Sequence, residues 1–128
     1  MILVSAGILR NAAEEILICQ RGAGGNCAFL WEFPGGKQES DESAAACLVR
    51  ECREELGVEI EVLELLEQSS YDYPDNKIAF SFFAAQIISG TPQKSVHQQI
   101  LWVSPCDLGN YEFCPADREI VARLASGK

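Results

Sequence analysis

Residues 44–56, AAACLVRECREEL, constrain most strongly what this chain can fold into. Ala45, Leu48, Val49, Cys52 and Leu56 recur at the three-and-four spacing that gathers apolar side chains on one face of an α-helix. Ser43 is the expected N-cap, Ala44 the first helical residue and Gly57 the glycine that ends the helix. A helix turns by about 100° per residue, so Glu51, Glu54 and Glu55 fall together on another side. Like charges at that spacing repel by roughly a few tenths of a kcal/mol per pair. A surface helix gains nothing from this. A hard divalent cation relieves it, because Mg²⁺ takes carboxylate oxygens together with substrate phosphates. On spacing alone, a solvated acidic face remains the alternative.

The residues before the helix extend the pattern. Glycines at 35 and 36 follow Pro34, a sequence that bends the backbone sharply. Gly36 and Glu42 then lead to Arg50-Glu51, Glu54-Glu55 and Gly57-Val58. This series resembles the Nudix box: Gly, five residues, Glu, seven residues, Arg-Glu, an aliphatic, any residue, Glu-Glu, any residue, Gly, an aliphatic. The one departure is Cys52 at the first aliphatic position, where a thiol packs as a small hydrophobe. Trp31 to Lys37, WEFPGGK, resembles the segment that precedes the box in the MutT branch.

The resemblance implies a Nudix fold of α+β class, a mixed β-sheet sandwiched between α-helices. It also implies Mg²⁺-dependent cleavage of a nucleoside triphosphate to monophosphate and pyrophosphate, with Mn²⁺ as a substitute ion. By that resemblance Glu51 and Glu55 are metal ligands, Glu54 is a ligand or a base acting through water, and the Gly35 carbonyl completes the set. Arg50 orients a glutamate. Gly36, Glu42 and Gly57 are structural. The leading substrate is 8-oxo-dGTP, which would make this a nucleotide-pool sanitation enzyme serving DNA repair. CTP, dCTP or 5-methyl-dCTP is the alternative, followed by ADP-ribose or a nucleotide sugar. Some Nudix domains are non-catalytic nucleotide-binding modules, but these usually lose box glutamates and this chain keeps them all.

Composition narrows the rest. The 128 residues suffice for one domain, 1–128, with a real core. Net charge is −9, so no basic excess is available to replace the counterions of duplex nucleic acid. Ten of the nineteen acids lie between Glu39 and Glu67. No apolar run reaches the ~20 residues that span a bilayer. The N-terminus has no cationic lead before its apolar residues, so we expect a cytoplasmic protein. The six cysteines form no C-x-x-C pair and are expected as free thiols. The sequence leaves monomer and homodimer equally open.

Along the chain, Ile2–Leu9 reads as a buried strand and residues 15–20 as its hairpin partner. Gly22 to Asn26 is a loop beside the site, lacking the Lys-Ser/Thr of a P-loop. Residues 59–67 alternate as a strand, 78–88 read as a central strand, and 99–103 as another. Pro105 opens a short helical turn, and Pro115 a last helix through about Ser126.

Six residues are candidates for holding substrate. Asp117 aligns with a base-reading position of the MutT branch; its alternative is a helix N-terminal charge. Phe33 and Ile78, with Tyr73 and Phe80, could stack or pack on the base or belong to the core. Arg21 could take a phosphate or a base edge, or be a lone surface arginine. MutT relatives often carry an extra glutamate in the loop before the late tryptophan, here Trp102. No acid occurs between Asn76 and Cys106, so that ligand is absent. His97 is the loop side chain able to act as a base near neutral pH. We favour a solvated loop histidine.

Overall fold

The computed structural model describes residues 1–127. Seven strands form two sheets. They are β1 (Ile2–Leu9), β2 (Ile16–Gln20), β3 (Trp31–Glu32), β4 (Gly35–Lys37), β5 (Glu59–Asp72), β6 (Lys77–Ser89) and β7 (Gln99–Val103). The helices are α1 (Ala44–Leu56) and α2 (Arg118–Ala125), with 3₁₀ turns at Pro105–Asn110 and Pro115–Asp117.

The larger sheet runs β4-β1-β6-β5 and the smaller β3-β2-β7. β1 pairs in parallel with β6 and antiparallel with β4, so the larger sheet is mixed. Side chains alternate across a strand, and here both faces are covered. Ile8, Ile16 and Ile18 join Phe82, Ile120, Val121 and Leu124 in one core on the α2 side. Their neighbours Leu9 and Leu17 join Leu48, Cys52 and Leu56 in a second core on the α1 side. The α+β sandwich expected from the sequence is therefore present.

α1 begins and ends where its caps dictate. Ser43 accepts from the Ala46 amide at 3.1 Å, and Gly57 takes the left-handed conformation, φ 72°. The Ser5 hydroxyl donates to the Ala44 carbonyl at 2.8 Å, fixing the start of the helix on β1. The last helix departs from expectation only in detail, since its first turn from Pro115 is 3₁₀ and α-helix follows from Arg118.

Two expectations are corrected. β1 and β2 do not form a hairpin; they touch at the isolated bridge Arg10–Ile16 and then diverge into different sheets. Both edges of β1 are taken instead by β6, in parallel over eight residues, and by the short antiparallel β4. β5 runs on to Asp72, past the alternating stretch, because β6 supplies backbone partners as far as Lys77. Bulges near Val62–Leu65 and Leu65–Glu67 blur its period. The bend around Pro34 carries two short strands, β3 and β4, one in each sheet.

Candidate active site

Gly35 and Gly36 bring the helix acids against β1. Gly35 pairs with Ala6 at φ 155°, a conformation that L side chains rarely adopt, and a Cβ there would lie 1.9 Å from the Ser5 carbonyl oxygen. A Cβ on Gly36 would lie 2.4 Å from the Glu51 carboxyl carbon. The glycine pair thus lets the Glu51 carboxylate rest directly on the backbone of β4.

Arg50 organises the box acids. It donates to both Glu42 oxygens, to Glu51 at 3.2 Å, to Glu54 at 3.1 Å and to the Lys37 carbonyl at 3.1 Å. Hydrogen bonds from Arg50 hold the Glu42 carboxyl down to about 2. Glu42 also accepts from the Glu39 amide, closing the loop ahead of α1. Glu54 is the exposed member, with a side chain 60% accessible. Burial raises Glu51, and the Arg50 charge opposes that rise.

Glu55 points elsewhere. It lines a cleft of about 390 Å³ with Arg21, Glu32, Phe33, Ile78 and Asp117. Its Oε1 is buried without a partner. Burial pushes its carboxyl up to about 7, against the pull of the neighbouring His97 imidazole. Among the described residues, no three carboxylate, histidine or cysteine side chains already converge on one point. The donor set nevertheless suits a hard cation. It is all oxygen, and Glu55 keeps an unpaired buried oxygen.

The far end of the cleft is built by strand pairing. Cys19 opposes Glu32 across β2 and β3, so Arg21, two residues on, shares that face. Its Nη1 donates to Glu32 Oε1 at 3.0 Å. The amide of Cys114 donates to the Trp31 carbonyl at 2.9 Å, drawing the 113–117 segment alongside β3. Asp117 is thereby buried, 3% exposed, beside the cleft. Asp117 is the N-cap residue of α2, and its side chain makes no cap hydrogen bond to that helix. Burial raises its carboxyl well above the usual range; Glu32 adds to this and Arg21 opposes it.

Of the predicted substrate-holding residues, Arg21, Phe33, Ile78 and Asp117 all line this one cleft, as do Tyr73 and Phe80. Phe33 also packs on Phe82 and Phe113 in the core. His97 corrects the sequence reading. It is buried, not solvated, and its Nε2 lies 3.2 Å from Glu32 Oε2. Glu32 itself was missed, as were Cys27 and Cys114, which also line the cleft. Glu32 sits between two buried aromatics, and only the pairing of β3 shows that it faces Arg21. The glycine loop contributes Gly25 and Asn26 to the rim.

Fold and site together define a class: an α+β domain with an acidic helix beside a cleft of small-molecule size. The chain belongs to the Nudix family, whose NUDIX domain matches residues 5–123. It is 35% identical over 121 residues to an 8-oxo-dGTP diphosphatase of Escherichia coli K12, covering 94% of each chain. It is 40% identical over 117 residues to a CTP pyrophosphohydrolase of the same organism, covering 91% of this chain and 86% of the relative. The solution structure of the E. coli ORF135 protein superposes with a TM-score of 0.84 at 37% identity, covering 98% of this chain and 89% of that one.

Proposed function

We propose that this chain is a Mg²⁺-dependent nucleoside triphosphate pyrophosphohydrolase of MutT type, releasing a monophosphate and pyrophosphate. One observation carries the reading: a single cleft joins Glu55 of the box helix to the buried Asp117. Its volume falls in the range of small-molecule sites. The similarity to diphosphatases and pyrophosphohydrolases supports it. We assign 8-oxo-dGTP as the leading substrate, hence a sanitation role in the cytoplasmic nucleotide pool.

The Gly35 carbonyl, Glu51, Glu54 and Glu55 would hold the Mg²⁺, or Mn²⁺ in its place. A bound cation supplies charge neutralisation on the pyrophosphate oxygens and a water of lowered pKa. The chain's own residues do the remainder. Arg50 restrains Glu51 and Glu54 so that their mutual repulsion does not splay them. Glu54, exposed and tethered by one hydrogen bond, would accept a proton from water. Phe33 and Ile78 form apolar walls against which a base can lie, and Arg21 offers guanidinium hydrogens to the same cleft.

Asp117 sets the base preference. Burial favours the protonated carboxyl, and a protonated carboxyl both donates and accepts. That pair complements N7–H and O6 of 8-oxoguanine. Unoxidised guanine offers two acceptors on that edge. The same pair also complements N3 and N4 of cytosine, and this observation keeps CTP and its deoxy and 5-methyl relatives as the second reading.

The test is a Mg²⁺-dependent turnover panel of 8-oxo-dGTP, dGTP, CTP, dCTP, 5-methyl-dCTP and ADP-ribose. Pyrophosphate and phosphate are measured separately. The proposal expects pyrophosphate release with 8-oxo-dGTP leading by kcat/KM. A lead by the cytosine nucleotides moves the assignment to the second reading. Turnover of ADP-ribose alone would overturn both.

A further inference from the structure

We propose that His97 is a positioning residue of the nucleotide cleft, acting through Glu32 on Arg21. The proposal rests on the reading of that cleft as the substrate site. His97 lies in the loop between β6 and β7, and its neighbour Val96 is 64% exposed while His97 is 8% exposed. The loop turns this one polar side chain inward. Three hydrogen bonds dock the loop: the Ser95 hydroxyl to the Glu55 carbonyl at 2.7 Å, the Gln93 amide to the Leu56 carbonyl at 3.0 Å, and the Gln98 amide to the Gln20 carbonyl at 2.8 Å. The loop is thereby tied to the end of α1 and the end of β2, and His97 spans the gap to β3.

Glu32 is held at both oxygens, Oε2 by His97 at 3.2 Å and Oε1 by Arg21 at 3.0 Å. A carboxylate oxygen accepts, so this pairing requires the hydrogen on Nε2 of His97. With one oxygen pinned by the imidazole, Glu32 presents the other at a set angle. Arg21, whose side chain is 42% exposed, takes its direction from that oxygen. Its Nε is buried without a partner, so Glu32 is the only side chain holding the guanidinium among the described residues. Removing His97 lets the Glu32 carboxylate rotate and Arg21 follow it. His97 does not contact the substrate in this account.

The experiment is a double-mutant cycle on His97→Ala and Glu32→Ala, read as KM and kcat with 8-oxo-dGTP and CTP. Metal-free binding of the same nucleotides, by equilibrium dialysis in chelator, gives a second readout. We expect His97→Ala to raise KM and the metal-free Kd roughly tenfold, the scale of a lost hydrogen bond to a charged group. The change in kcat should stay within about threefold. The double variant should bind no worse than Glu32→Ala alone, and His97→Gln, whose amide can donate to Glu32, should recover most of the loss. Additive losses, or an unchanged KM, overturn the proposal.

His97 is the single histidine of the chain, so its ring nitrogens are assigned without ambiguity by long-range ¹H–¹⁵N NMR. The proposal requires an Nε2–H tautomer whose signals shift in Glu32→Ala. An Nδ1–H tautomer, or no response, overturns it even if His97→Ala does not fold. Wild-type protein that cleaves no triphosphate would sink the functional reading, and the NMR result would still decide the His97–Glu32 relationship.

Discussion

Arg50 donates to both carboxylate oxygens of Glu42, Nε to Oε2 at 2.6 Å and Nη2 to Oε1 at 3.0 Å. A bidentate pair of this kind fixes orientation as well as distance. It ties the loop after β4 to the middle of α1. The folded carboxyl is lowered from 4.5 to about 2, so its contribution to stability is present above the unfolded value. It is lost as the pH falls through the folded value. Glu42→Gln should therefore flatten the acid limb of the stability curve between about pH 5 and 2. Urea midpoints of both proteins across that range check this; parallel limbs would count against the pair.

The two glycines of the box should fail differently. In Gly35→Ala the new methyl meets backbone, the Ser5 carbonyl, at 1.9 Å, and the backbone sits at φ 155°. That variant should lose several kcal/mol, about 3 or more, and much of the soluble protein. In Gly36→Ala the methyl meets the far end of the Glu51 side chain, which can swing away. Stability should change by less than about 1 kcal/mol while kcat falls at least about a hundredfold. Thermal melts and kinetics on both variants separate the two roles.

These contrasts show what the sequence disclosed. The period of residues 44–56 and the caps Ser43 and Gly57 gave the helix to the residue, because caps and amphipathic spacing are local. The acids of the box followed from the same spacing. The partner of β1 was not legible, since apolar side chains on both faces suit any central strand and say nothing of which neighbour it takes. The inward turn of His97 was hidden for a similar reason. Gln93, Ser95 and Gln98 dock its loop through backbone groups distant in sequence, and no local pattern records such bonds. Glu32 looked like one polar residue between aromatics until β3 was paired with β2.

Glu55 should make metal-free protein less stable at higher pH. Its folded carboxyl is raised by burial to about 7, above the unfolded 4.5. The fold favours the protonated form, so its contribution is full below about pH 4.5 and falls as the pH rises toward 7. Glu55→Gln keeps the shape of the protonated acid and cannot ionise. In chelator at pH 8 it should be more stable than wild type by about 1–2 kcal/mol, allowing for solvent screening, and equal to it near pH 4. Mg²⁺-dependent turnover should be abolished. Equal stability at pH 8 would mean that Glu55 ionises without penalty.

Asp117 offers the sharpest test of how the base is read. Protonated, it presents one donor and one acceptor, as an asparagine amide does; ionised, it only accepts. Its burial at 3% exposure and the nearby Glu32 both favour the protonated form. Asp117→Asn should therefore retain kcat/KM for the preferred nucleotide within about tenfold, the worth of one modest hydrogen-bond adjustment. Asp117→Leu, of similar bulk but without polar atoms, should cost about a hundredfold or more, and the loss should fall on 8-oxo-dGTP more than on dGTP. If Asn loses as much as Leu, the carboxyl reads a base amine as an anion, and the cytosine nucleotides become the substrates to which the cleft is fitted.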